Sequence, residues 1–106
     1  MEHSSSVQGI YTILSIQGEV DLHFSPELRT LILDNLKANK PVLVDLSGVT
    51  YIDSSGIACF VEGFQYSRKH SLKFGLLRVA DAVMSVLQLA RLDKVFPIYD
   101  SVENAS

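Results

Sequence analysis

The feature that most constrains this chain is a repeated change of apolar period. Alternation by twos gives way to a three-to-four-residue stripe three times within 106 residues. Alternation marks a strand lying on a core, and a stripe at i, i+3, i+4 and i+7 marks a helix doing the same. Val7 to Gly18 carries no charge, and Ile10, Thr12, Leu14 and Ile16 alternate with Tyr11, Ile13, Ser15 and Gln17, which predicts a strand. Ser25-Pro26-Glu27 then supplies a cap oxygen, a ring that pre-sets φ and a carboxylate for the positive helix end. The stripe Leu28, Leu31, Ile32 and Leu36 follows, and Asn39-Lys40-Pro41 ends it. Val42 to Leu46 is an apolar, β-branched run bounded by Pro41 and a turn at Ser47-Gly48, so a strand covered on both faces is expected. Val49 to Ser55 leads into Ile57, Phe60, Val61 and Phe64, a helix from about Ser55 to His70 that Gly63 weakens slightly. Leu72 to Val79 reads as a strand, Asp81 to Leu92 as a helix with Val83, Val86, Leu87 and Ala90 facing inward, and Val95 to Tyr99 as a last strand.

A short strand at Ser4 to Val7 with a turn at Gln8-Gly9 completes an N-terminal hairpin. The order is β-β-α-β-α-β-α-β. Strands joined through helices pair in parallel by right-handed crossovers, whereas a hairpin pairs antiparallel, so the expected fold is α/β with a mixed sheet. Four to five strands and three to four helices fit residues 1–106 as one domain, and 47% hydrophobic residues suffice for one core.

Composition then narrows the chemistry. Nine Lys and Arg against 12 Asp and Glu give a net charge of −3, the wrong sign for gripping a phosphate backbone. Residues 1–67 hold eight acidic and three basic side chains, and residues 68–106 hold four and six. The basic cluster Arg68, Lys69 and Lys73 fits a solvated helix end facing its own dipole. No apolar run reaches the ~20 residues that cross a bilayer, and Met1 to Ser6 lack a signal-peptide pattern, so a cytoplasmic protein is expected. Cys59 stands alone in an apolar run, which excludes an internal disulfide and suits a small buried hydrophobe. His3, His23, His70 and Cys59 share no metal-ligand spacing, and neither a Walker loop nor a GxGxxG fingerprint is present, so no metal or cofactor is expected.

What remains is Asp53-Ser54-Ser55-Gly56, a polar step between a strand and a helical stripe. Either Asp53 or Ser54 is placed to cap the helix, with Gly56 letting backbone pass closely. The same helix start is a position where a phosphate is favoured, and a phosphorylated Ser54 would add about −1.5 to −2 charges near Asp53 and Asp21. A hydrolase would use Ser54 as nucleophile, His23 as base and Asp21 or Asp53 as orienter, but Asp-Ser-Ser-Gly lacks the glycines of the nucleophile elbow.

Three stretches together resemble the STAS domains, specifically the anti-sigma factor antagonists of bacterial partner-switching systems. They are Gly18-Glu19-Val20-Asp21, then Val44 to Val49 leading into Ile52-Asp53-Ser54-Ser55-Gly56-Ile57, and Leu92-Asp93-Lys94-Val95-Phe96. The resemblance implies that Ser54 matches the serine phosphorylated by an anti-sigma factor that is also a serine kinase, and dephosphorylated by a PP2C-type phosphatase. Ser55 matches the unmodified neighbour. It further implies that the unphosphorylated form binds the anti-sigma factor and frees its sigma factor or other target, with Asp21, Asp53, Ser54, Ser55, Gly56 and Ile57 on the surface shown to the partner. No catalysis of its own is implied, and transcription is regulated without contact with nucleic acid.

Two departures are visible. Ala80-Asp81 replaces the Ser-Pro that often opens the third helix, where Asp81 remains able to cap, and Arg91 replaces a glycine near its end. Arg91 offers no easy left-handed cap, so a different helix end is expected there. Ser101 to Ser106 is short for the final helix often found. STAS regulatory subunits of ABC-type or anion transporters share the same core and act without phosphorylation. The intact Ser54 and the lack of an appended membrane segment favour the switch.

Overall fold

The computed structural model describes residues 1–105. In chain order its elements are β1 (Glu2–Gln8), β2 (Tyr11–Val20), α1 (Ser25–Lys37), β3 (Val42–Ile52), α2 (Ser54–Lys69), β4 (Phe74–Leu77), α3 (Asp81–Leu89), β5 (Ile98–Tyr99) and a closing 3₁₀ helix (Glu103–Ala105). The five strands lie in the order β1-β2-β3-β4-β5. β1 and β2 are antiparallel, and the other neighbours are parallel, as the mixed pattern of hairpin and crossovers requires.

Each crossover steps one strand further in the same direction, so crossovers of one hand leave all three helices on one face of the sheet. There Leu28, Ile32 and Leu36 of α1, Ile57 and Phe60 of α2, and Val83 and Leu87 of α3 meet Leu14, Ile16, Val44 and Leu46 in the main core. The opposite face buries a smaller cluster, in which Tyr11, Ile13, Leu43 and Leu77 lie under Val102 and Ala105. β3 is therefore covered on both sides over Val42 to Leu46, as its unbroken apolar run predicts.

The boundaries differ from the sequence pattern in instructive ways. β1 is seven residues long rather than four, because its serines pair along the whole first part of β2, and the turn is Gly9-Ile10, with Gly9 at φ +60°. Ile10 is thereby exposed at the turn and takes no part in the alternation. Ser47-Gly48 makes no turn: β3 runs straight through to Ile52, and its register with β2 shifts between Ser15 and Gln17 and again between Gly18 and Glu19. A Cβ at Gly48 would stand 2.8 Å from Gln17 Cγ, so this glycine serves a close approach within the irregular ladder. β4 and β5 are shorter than expected. Phe96 leaves the sheet register to pack edge-on against the rings of Phe60 and Phe64.

α3 also departs from expectation at both ends. Its N-cap is Ala80, without a side-chain bond, so Asp81 contributes charge in the first turn rather than a cap. At its other end Arg91 does adopt the left-handed conformation, at φ +59°.

Candidate functional site

Val20 and Ile52 pair at the ends of two adjacent parallel strands, and the next residue in each case is an aspartate. Asp21 Oδ1 accepts from the amides of His23 (3.0 Å) and Phe24 (3.3 Å), while its carbonyl accepts from Ser25 (2.8 Å). This turn, rather than a Ser25 cap, launches α1. The N-cap is Phe24 without a side-chain bond, and Ser25 is buried with its hydroxyl directed to the Leu22 carbonyl at 3.5 Å. Pro26 sits in the first turn, where its missing N–H costs nothing.

Asp53 performs the same task for α2. Extended at φ −112°, its Oδ1 accepts from the Ser55 amide (2.9 Å), the Ser55 hydroxyl (2.5 Å) and the Gly56 amide (3.4 Å). Of the two candidate caps, Asp53 is the one used. Its own amide donates to the Val20 carbonyl at 3.2 Å, which ties the two strand ends together. The Ser55 hydroxyl, followed by the backbone amides, holds the Asp53 carboxyl below its ordinary value, against partial desolvation that pushes the other way.

This arrangement divides the two serines. Ser55 is half-buried and its hydroxyl is committed to Asp53. Ser54, the first residue of α2, is exposed, and none of the described residues hydrogen-bonds its side chain. Asp21 and Asp53 flank it as half-buried carboxylates. Gly56 and Ile57 do not belong to the displayed surface, because both are buried. A Cβ at Gly56 would lie 2.7 Å from Ile52 Cγ1 and 3.0 Å from Val20 Cγ1, so the bare backbone is what lets α2 begin directly on the strand ends. Ile57 is 5% exposed and opens the inward stripe of the helix.

Two exposed residues at this end escaped the motif reading, Leu22 (73%) and Tyr51 (50%), and His23, considered only as a hydrolase base, is exposed beside them. Leu22 had a signal, since it is apolar yet off the α1 stripe. Tyr51 had none beyond its nearness to Asp53. The His23 ring packs edge-on against Phe24 at 4.8 Å, and only its backbone meets Asp21. No bond among the described residues joins Ser54 to a histidine. His3 pairs with Glu27 at 3.1 Å and His70 stacks on Tyr66. Cys59 lies behind the site with its thiol directed to the carbonyls of Ser25 (3.3 Å) and Ser55 (3.4 Å). Burial, with help from Glu62, pushes this thiol up to about 11, so it stays neutral at physiological pH. No group of three or more metal-ligating side chains among the described residues could hold an ion.

The family model for the STAS domain matches residues 2–105. The chain belongs to the STAS domain family. This STAS domain is 25% identical over 107 residues to the anti-sigma F factor antagonist of Paenibacillus polymyxa, covering 99% of this chain and 88% of that protein. Over 84 residues it is 25% identical to the anti-sigma-B factor antagonist of Listeria monocytogenes, covering 78% of this chain and 74% of that one. Among solved structures, a putative anti-sigma factor antagonist from Thermotoga maritima shares the STAS fold with TM-score 0.85 and 24% identity, across 97% and 90% of the two chains. The Bacillus cell fate determinant SpoIIAA in its phosphorylated form does so with TM-score 0.75 and 16% identity, across 98% and 96%. No helix among the described residues of this STAS domain is long and apolar enough to cross a membrane.

Proposed function

We propose that this protein is a phosphorylation-controlled binding module of a bacterial partner switch, acting in the cytoplasm. Its unphosphorylated form binds an anti-sigma factor that is also a serine kinase, and that binding releases a sigma factor or another target. Phosphate on Ser54 blocks the complex, and a PP2C-type phosphatase restores it. Asp21, Asp53, Ser54 and Ser55 form the polar part of the contact surface, with Leu22 beside them as an apolar anchor. Gly56 and Ile57 act from beneath by seating the helix.

The observation behind this reading is the division between the two hydroxyls: Ser55 is bonded to Asp53, while Ser54 is exposed and unbonded. A kinase needs a hydroxyl it can reach. The amides that would neutralise a phosphate at this helix start, those of Ser55 and Gly56, are already taken by Asp53. A phosphate of about −1.5 to −2 charges would therefore be displayed outward, next to a carboxylate that is itself held ionised. Burying that charge unpaired in an interface costs several kcal/mol, and about 5.5 kcal/mol suffices to reverse a two-state equilibrium from 1:99 to 99:1. One phosphate has the required scale without any change of fold.

Incubation of the purified protein with the anti-sigma kinase of its own genome and ATP is expected to place a single phosphate on Ser54, located by mass spectrometry. Phosphate elsewhere, or none, overturns the assignment. Ser54→Ala is expected to keep binding to that kinase, and Ser54→Asp to weaken it at least tenfold, about 1.4 kcal/mol. Equal binding by both would favour the transporter-subunit alternative, in which the same core regulates without phosphorylation.

A further inference from the structure

β1 is the outermost strand, so alternate amides and carbonyls along Glu2–Gln8 point away from the sheet, and all seven residues are exposed. Natural proteins guard such edges with charged side chains, lysine above all, or with proline, a bulge or brevity. Here the one carboxylate, Glu2, stands at the strand's end. Glu2-His3-Ser4-Ser5-Ser6-Val7-Gln8 contains neither lysine nor proline, and its ladder with β2 runs seven residues without a register shift. The opposite edge is guarded, because β5 is two residues long and follows Pro97.

We infer that β1 pairs antiparallel with β1 of a second copy about a two-fold axis at Ser5, joining two five-stranded sheets into one. This register uses the whole strand and opposes no like charges. Glu2 faces Gln8 of the second copy, His3 faces Val7, and Ser4 faces Ser6. Val7 and His3 lie on the helix-bearing face, opposite Thr12 and Ile16 of β2. Val7, 75% exposed in the single chain, thus comes to rest beside the other copy's His3 and its Glu27 partner. Pairing of β1 with β5 would reach two residues at most and would propagate head to tail rather than close, so the symmetric pair is the favoured one. A seven-residue edge buries less than the ~1,600 Å² of a standard interface, which makes this a weak, concentration-dependent dimer.

Sedimentation velocity of the full chain from about 10 μM to about 1 mM is expected to show the mass rising from 11.7 kDa toward twice that value, as a Kd within this range requires. Ser5→Lys and Ser5→Glu each place like charges against each other at the axis, so each alone is expected to stay monomeric, while their equimolar mixture recovers the dimer. In the wild type, amides on the outer edge of β1 are expected to exchange more slowly as concentration rises, a readout that needs no variant. A wild type that remains monomeric throughout overturns the inference. So does a dimer that survives Ser5→Lys, a folded variant pair that fails to recover it, or β1 exchange that ignores concentration.

Discussion

At the scale of single residues, Asp53 uses one carboxylate oxygen for three bonds, and its negative charge strengthens each of them. Asp53→Ala is expected to cost about 1 kcal/mol, the usual loss for an N-cap. Asp53→Asn keeps an acceptor and removes the charge. Because the folded carboxyl titrates below its ordinary value of 3.8, the charge-dependent stability is complete above that value and is lost as pH falls through the lower folded one. In urea titrations the gap between wild type and Asp53→Asn should therefore be open at pH 7 and should shrink at the acid end. A gap that is the same at both ends would mean that the hydroxyl and the amides, not the charge, set the cap. The motif alone left Asp53 and Ser54 as rival caps, because both side chains can reach a helix start; the extended backbone at Asp53 decides between them. The same motif ran on into Gly56 and Ile57 as though a conspicuous string were a surface. The helical stripe beginning at Ile57 had already marked that residue as buried, and the periodic signal was the better guide.

At the scale of elements, all three helices end in the same way and none uses a glycine. Asn39, Ser71 and Arg91 take φ of 62°, 56° and 59°, each at the first position beyond the cap. In each case the following amide reaches back to the carbonyl five residues earlier: Lys40 to Asn35 (3.2 Å), Leu72 to Ser67 (2.8 Å) and Leu92 to Leu87 (2.8 Å). This is the Schellman arrangement, and it occurs here because Leu72 and Leu92 must turn into the core, where both pack. The absence of glycine at Arg91 led the sequence reading to a different helix end. Packing of Leu92 outweighs the local penalty, which is about 1–2 kcal/mol for an L residue in this region. Arg91→Gly should consequently stabilise the protein by roughly 0.5–1 kcal/mol, after the flexibility that glycine adds to the unfolded chain is subtracted. Asn39→Gly should change little, since asparagine tolerates this conformation. Equilibrium denaturation of the two variants checks the contrast, and an Arg91→Gly that destabilises would show that the arginine side chain makes a compensating contact. Strand ends were readable only to a few residues for a related reason. Ser47-Gly48 looks like a turn locally, but the pairing of β3 with β2 carries the chain straight through it.

At the scale of the whole molecule, the order of elements was enough to predict the hairpin and the parallel pairing, because crossovers are right-handed, while the strand order that gathers the helices on one face is seen only in the structure. The order of elements did not reveal what covers the other face. Three helices on one side leave Tyr11, Ile13, Leu43 and Leu77 needing a cover, and Val102 and Ala105 provide it from a segment too short to show any period. A long-range polar link to that cover is the Tyr11 hydroxyl, which donates to the Ala105 carbonyl at 2.5 Å although the two residues are 94 positions apart. Tyr11→Phe leaves the ring in place and strands a buried carbonyl, a change worth about 1–3 kcal/mol. That loss should fall mainly on the docking of the 3₁₀ helix, since the ring and the rest of the cluster stay packed. A glutamate-specific protease offers a local readout, because Glu103 lies exposed within that helix while Glu27 lies exposed within α1. Cleavage after Glu103 should accelerate in Tyr11→Phe by roughly tenfold or more for each 1.4 kcal/mol lost locally, with cleavage after Glu27 much less affected. Equal acceleration at both sites would mean that the cover and the three-helix face open as one cooperative unit.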